Sequence, residues 1–369
     1  MNRWHRLTFV LLVVLCGSSE VAAQTPLATV PLGANATAIG FNAQTNKIYV
    51  VGGMGNSLTE IDGFTFQSTT ISLQATSDVA HADIVVNPVT NTIYVINVVS
   101  NNVAVVDGLT HVVSFVPTAA SPDALAINLM TNKLYVADFN ADMVTVFDGN
   151  TKMVTNIKVG TNPSAVAINC VTNKIYVANS GSNNVSVING ANNSVATLKV
   201  GLYPSALAVD DYRNDIYVAN TQGNNLTEIN GANNSTQSIT VGSYPAHVAV
   251  NRATNKIYVA FQIPGNVVVV DGASKQTTAI PAGLFENELV VDEWRNEIYV
   301  ADPTGNQVVV INGTSNTTTA FPGSGSYLWR IAVNPLTNEV YSANLISGDA
   351  TIYAGESANL PLPVLELVQ

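Results

Sequence analysis

Four ionisable residues in this chain stand at spacings that packing alone does not ask for. His247, Glu288 and Arg330 are separated by 41 and 42 residues, and Asp83 holds the equivalent position further back. The other copies of that position are Ala38, Ala124, Ala165 and Ala206, as a crowded site would favour. A histidine beside a glutamate can act as a general base with its orienting carboxylate, and an arginine can clamp an anion. Three residues upstream runs a second column: Asn35, Ala80, Ser121, Asn162, Tyr203, Tyr244, Phe285 and Tyr327. Its last four members are aromatic, and Trp329 and Phe261 fall on the same side. Aromatic walls around a few convergent ionisable groups are the ordinary form of a ligand site. His81 can reach that region from a long loop. The same residues also fit a solvated ion-pair chain among exposed tyrosines, since such networks perturb ionisation as active sites do.

Other chemistries lack their residues. Beyond residue 23 the histidines are His81, His111 and His247, with no close pair on one element, so no metal centre is expected. There is no G-x-S-x-G nucleophile elbow, no Gly-rich phosphate loop and no C-x-x-C-H haem attachment. Cys170 takes the place held by Pro88 and Pro335 in equivalent turns, on the opposite face, and is not read as a nucleophile. No cofactor is expected.

The first 23 residues read as a leader. Arg3 and Arg6 precede an apolar stretch of ten residues, Leu7 to Cys16, and Val21-Ala22-Ala23 then forms the small-x-small pattern of a cleavage site before Gln24. Such a stretch is too short to span a bilayer, which needs about 20 residues. The expected mature chain, 24–369, is periplasmic or secreted, has no membrane span and keeps Cys170 as its only cysteine, so no internal disulfide forms. It carries 12 basic against 24 acidic residues, a net of −12 with the cations scattered, which argues against nucleic acid as a partner.

The elements that must position these residues follow from a repeat. Tyr49 recurs at Tyr94, Tyr135, Tyr176, Tyr217, Tyr258, Tyr299 and Tyr341, in steps of 45, then 41 five times, then 42. Each period holds four short alternating runs broken by turn residues. Four strands with turn signals every ~10 residues are the signature of a β-propeller blade. The reading is therefore an all-β chain, a single eight-bladed propeller with seven blades as the alternative. The shared tyrosine column reads as packing between blades.

Asp62-Gly63, Asp107-Gly108, Asp148-Gly149, Asn189-Gly190, Asn230-Gly231, Asp271-Gly272 and Asn312-Gly313 read as two-residue hairpin turns, which favour positive φ. The ring of Asx three residues after each tyrosine, including Asn97, Asp138 and Asn179, reads as turn stabilisation rather than a calcium site, having too few carboxylates. One fourth strand is missing at the end, and Leu27 to Gly33 matches a fourth strand at the start. That segment is expected to complete blade eight and close the ring. Leu360 to Gln369 has no assigned role and could compete for the same edge.

The N-K-I-Y-V run beginning at Asn46, the N-x-x-T-N turn before it and the D-G turn after it resemble the bacterial YVTN-repeat β-propeller family over roughly residues 26–355. The resemblance implies an extracytoplasmic propeller, often of seven blades, with no single activity; similar propellers serve as surface or binding proteins, lactonases, lyases or subunits of redox enzymes. A fold does not carry a function with it. The favoured expectation is a non-enzymatic, monomeric binding or scaffold propeller. Its partner, a small molecule, a carbohydrate or a protein, would sit at the channel mouth of blades five to eight. The alternative is a lyase- or lactonase-like enzyme using His247 and Glu288, with Arg330 as anion clamp.

Overall fold

Short runs of β-branched residues bounded by Asn, Gly and Asp favour strands over helices throughout the chain. The computed structural model describes residues 26–33, 35–52, 56–73, 83–262, 265–283 and 288–355. The leader, His81, Phe285 and residues 360–369 lie outside the described residues. Eight four-stranded antiparallel sheets result, seven of them taking their strands in chain order, so the chain is an eight-bladed propeller. Blade four is representative: Pro163–Asn169, Lys174–Asn179, Asn184–Asn189 and Val195–Lys199. No helix among the described residues is long and apolar enough to cross a membrane.

Blade eight is assembled from both ends of the repeat array. Its first three strands are Leu328–Asn334, Glu339–Asn344 and Asp349–Ala354, and the fourth is Ala28–Pro31. Ala28 lies opposite Ile352 and Pro31 opposite Asp349. The ring is therefore closed by the N-terminal strand, as expected, and Val30 and Leu32 join a core shared with blade one.

Burial grades outward. First strands of successive blades neighbour one another around the axis, second strands are almost wholly buried, and fourth strands face solvent. Every tyrosine of the repeat is buried, and each packs on the next blade: Tyr176 lies against Ile216 and Val218, Tyr135 against Ile175 and Val177. Removing a side chain of this size from water contributes about 1.5–3 kcal/mol. Eight such contacts hold the blades radially.

A second device, not visible as such in the repeat, ties the blades together on one face. The Asn that ends a first strand is fully buried, and its side-chain amide donates to an Asn in the next blade's first turn. Asn128 reaches Asn173 at 2.9 Å, Asn169 reaches Asn214 at 2.9 Å, and Asn334 reaches Asn46 at 2.5 Å to complete the circle. Blades five and seven have Asp there instead. Arg213 and Arg295 bind Asp210 and Asp292 at 3.0 and 2.9 Å, and both extend to a carbonyl of the following blade, on Arg252 and Pro335.

The Asx-Gly turns differ from expectation. Asp62 closes a longer loop: its carboxylate accepts the backbone N–H of Phe64 and Thr65, and its carbonyl accepts that of Phe66. Positive φ falls on Phe66, not on Gly63. The glycine is required by close approach. Its N–H donates to the Asn46 carbonyl at 2.8 Å, and a Cβ there would stand 2.6 Å from the Asn46 side chain.

Candidate functional site

Two kinds of loop build one end of the ring: those entering each first strand and the hairpins joining second to third strands. The Asx of these hairpins stabilise turns, as read from sequence. Asn97 bonds Asn102 at 2.8 Å, Asn179 bonds Asn184 at 2.7 Å, and Asp138 accepts from both the N–H and the hydroxyl of Thr145. Phe261, which replaces Asx in blade six, is buried beneath Gly242 rather than facing the mouth. The expectation that it joins an aromatic rim is therefore corrected; its ring fills the space that a polar pair occupies elsewhere.

The loops are fastened blade to blade. The N–H of Tyr203 donates to the Asn183 side chain of the preceding blade at 2.8 Å, and that of Tyr244 to Asn224 at 3.0 Å. The Tyr203, Tyr244 and Tyr327 carbonyls accept from Thr221, Gln262 and Leu345 at 2.9–3.0 Å. These bonds hold the three tyrosines in the left-handed region, at φ 55°, 58° and 63°. Asn35, Ser121 and Asn162, in the same column, share it. The conformation costs a bulky L-residue roughly 1–2 kcal/mol, and less for Asn. All three tyrosines are exposed, at 40%, 44% and 38%, so burial does not repay that strain. Phe285, the fourth aromatic of the column, lies outside the described residues.

Tyr327 continues inward as a stack. Its ring lies 5.9 Å from Trp329 at an interplanar angle of 20°, and the Arg330 guanidinium sits 5.5 Å over the Trp329 ring. A register shift between Leu328 and Arg330 lets both Trp329 and Arg330 leave the regular pleat.

Arg330 marks the level of the ionisable column. Asp83, His247, Glu288 and Arg330 are all half-buried: the channel admits water to them, yet desolvation dominates their ionisation. Burial, then the Arg330 charge, pushes His247 down to about 3, so the imidazole is neutral. Burial pushes the Asp83 and Glu288 carboxyls up, against the opposing pull of Arg330 and of backbone donors. Asp83 and Glu288 also repel each other, which places blades two, seven and eight in electrostatic contact across the axis.

Each carboxylate already has a partner. Asp83 accepts the N–H of Leu125 at 3.1 Å and of Ile84 at 2.9 Å, and Glu288 accepts that of Ile331 at 2.9 Å. These donors belong to the exposed inner edge of the following first strand, except Ile84, which adjoins Asp83. No hydrogen bond joins His247 to Glu288 among the described residues, so the expected base and orienting carboxylate do not form a pair here. Nor do any three His, Cys, Asp or Glu of the described residues cluster as metal ligands.

Sequence reading overlooked the opposite end of the ring. A concavity of about 780 Å³ lies there, lined by Tyr212, Asp211, Arg252 and Glu293 among others. Arg252 binds Glu293 through two nitrogens at 2.8 Å and Asp211 at 2.9 Å. Its charges are mutually satisfied, so it serves as a clasp across blades five to seven. Spacing of 41 and 41 residues between Asp211, Arg252 and Glu293 was the available signal.

No protein-family model matches the chain, and no curated protein matches it. Solved structures do. The chain resembles Sqt1 of Saccharomyces cerevisiae at 10% identity and a TM-score of 0.77, over 91% of this chain and 100% of that one. The Dos1 propeller aligns at 12% identity and 0.75, over 90% and 96%. Hydrazine synthase of Kuenenia stuttgartiensis aligns at 20% identity and 0.60, over 73% and 94%. At these identities the likeness concerns the fold alone.

Proposed function

We propose that this chain is a non-enzymatic binding propeller whose ligand or partner sits on the mouth of blades five to eight. The observation that carries the reading is the set of exposed tyrosines, Tyr203, Tyr244 and Tyr327, held at positive φ by bonds from neighbouring loops. The loop imposes positive φ on every described copy of this position. Placing bulky aromatic residues there, exposed, where other blades have Asn35, Ser121 and Asn162, adds strain that burial does not repay, as at surfaces built for contact. Tyrosine suits such a surface because it offers large area at small entropic cost. The depressed His247 and the lack of a hydrogen bond from it to Glu288 among the described residues count against general base catalysis, which works best with a base poised near the operating pH. The repeat motifs support membership of the YVTN-repeat family, and the leader pattern supports a periplasmic or secreted location.

Trp329 provides the test. After the leader the only tryptophans are Trp294 and Trp329, so Trp294→Phe leaves a single emitter at the mouth. Its emission is to be titrated with sugars, lactones and peptides. The reading expects a saturable change with at least one class, absent when Tyr203, Tyr244 and Tyr327 are all replaced by Asn. Saturable changes that survive that replacement would contradict it.

A further inference from the structure

Arg330 is the only lysine or arginine in the first strands, in the loops that lead to them or in the hairpins beside them. The other arginines after the leader, Arg213, Arg252 and Arg295, each grip a carboxylate at 2.8–3.0 Å. Arg330 differs. Its five N–H donors meet no acceptor among the described residues, and its recorded contact is the face of Trp329. The carboxylates within its electrostatic reach, Asp83 and Glu288, are turned to backbone donors. A half-buried guanidinium fixed on an aromatic plane, with no acceptor for its fork of donors among the described residues, is suited to receive an anion.

Charge and shape narrow the anion. One cation faces two carboxylates, so the mouth has no excess positive charge and disfavours a phosphate dianion more than a singly charged carboxylate. A planar fork matches a planar carboxylate, in two parallel bonds. Beside it stands the exposed ring of Tyr327, stacked on Trp329. The C–H face of a pyranose ring carries positive polarisation from its oxygens and lies well on the negative face of an aromatic ring. We infer that the mouth recognises acidic sugars, with the carboxylate held by Arg330 and the ring face laid on Tyr327. The inference rests on the reading of the mouth as a ligand surface, and it specifies the ligand's class.

The test is calorimetric titration of the purified protein with galacturonate and glucuronate, beside galactose, glucose and benzoate. Arg330→Gln, Arg330→Lys and Tyr327→Asn are titrated in parallel, each checked by its melting curve. The expected result is binding of a uronate about tenfold or more tighter than its neutral counterpart. Arg330→Gln removes that difference, Arg330→Lys keeps part of it, and Tyr327→Asn weakens acidic and neutral sugars together. Should Arg330→Gln melt early, Arg330→Lys still separates the paired fork from simple charge. Neutral sugars binding as tightly as uronates, unaffected by Arg330→Gln, would overturn the acidic-sugar inference and leave the ligand surface standing. Benzoate binding more tightly than both uronates would overturn the sugar and leave the anion receptor. No binding of any probe would overturn the inference, while the surface itself is judged by the Trp329 titration with its wider panel.

Discussion

His247 illustrates how one position in a repeat can be set apart by its surroundings. Its pKa of about 3 in the folded ring lies below the 6.5 expected of an exposed histidine. Between these values the unfolded chain binds a proton that the native protein refuses, so stability rises with pH across that window and is lost as pH falls from about 6.5 towards 3. His247→Gln should remove that part of the slope, measured as the difference between the two proteins' melting temperatures at pH 7 and pH 4.5. An unchanged slope would mean that the ring is solvated. Asp83 and Glu288 act with the opposite sign, since a raised folded pKa favours the native state as pH falls, and both remain in each protein. The repeat tyrosines differ in a similar way. The Tyr176 hydroxyl is buried without a partner, whereas the Tyr299 hydroxyl donates to Glu297 at 2.6 Å. Tyr176→Phe should therefore be neutral or stabilising, and Tyr299→Phe should cost about 1–3 kcal/mol by chemical denaturation.

At the scale of the element, the turn is the informative unit. In the Asn189-Gly190 turn a Cβ on Gly190 would stand 2.2 Å from the Asn173 amide oxygen, which also receives the Asn128 clasp. Gly190→Ala should lower stability by about 1–3 kcal/mol, as overpacking does. Adding Asn173→Gly, which tolerates the φ of 52° there, should recover part of the loss, because the clashing amide is gone. A hairpin requiring positive φ at the glycine itself would show no recovery. Strands, blade count and the closing strand were legible in the sequence because they depend on periodicity, which eight copies repeat. The turn was misread because Asx-Gly is compatible with two geometries, and the residue that decides between them, Asn173, lies in another strand connection. The site was legible in part. The break in the alanine column singled out Asp83, His247, Glu288 and Arg330, and the aromatic half of the loop column singled out the tyrosines. The backbone donors that engage the two carboxylates, and the burial of Phe261, depend on the neighbouring blade and have no local signal.

At the scale of the whole molecule, closure and the clasp ring hold eight similar blades in one circle without a disulfide. The strand Ala28–Pro31 covers the edge of Asp349–Ala354 and buries Val30 and Leu32. Removing residues 24–33 should cost about 3–6 kcal/mol from those two side chains alone. It should also expose an unpaired strand edge that associates with other copies. Lower melting temperature together with larger species in light scattering is the expected result; an unaltered monomer with unaltered melting would show that closure adds little. The same closed ring explains why strained loops are tolerated at the mouth. Each is tied to the blade before it, as Tyr203 is to Asn183 and Tyr244 to Asn224, so the strain is distributed over a rigid frame.

The central claim is that Tyr203, Tyr244 and Tyr327 stand at a loop position of fixed left-handed conformation for contact rather than for packing. The direct measurement is the melting temperature of the triple Tyr→Asn variant against the parent protein, with and without the ligand that the Trp329 titration finds. Asn relaxes at this φ, so the account predicts a variant that melts as high as its parent or higher, with the ligand's stabilising shift abolished. A variant that melts several degrees lower, or that keeps the ligand's full shift, would contradict the account and return the tyrosines to a packing role.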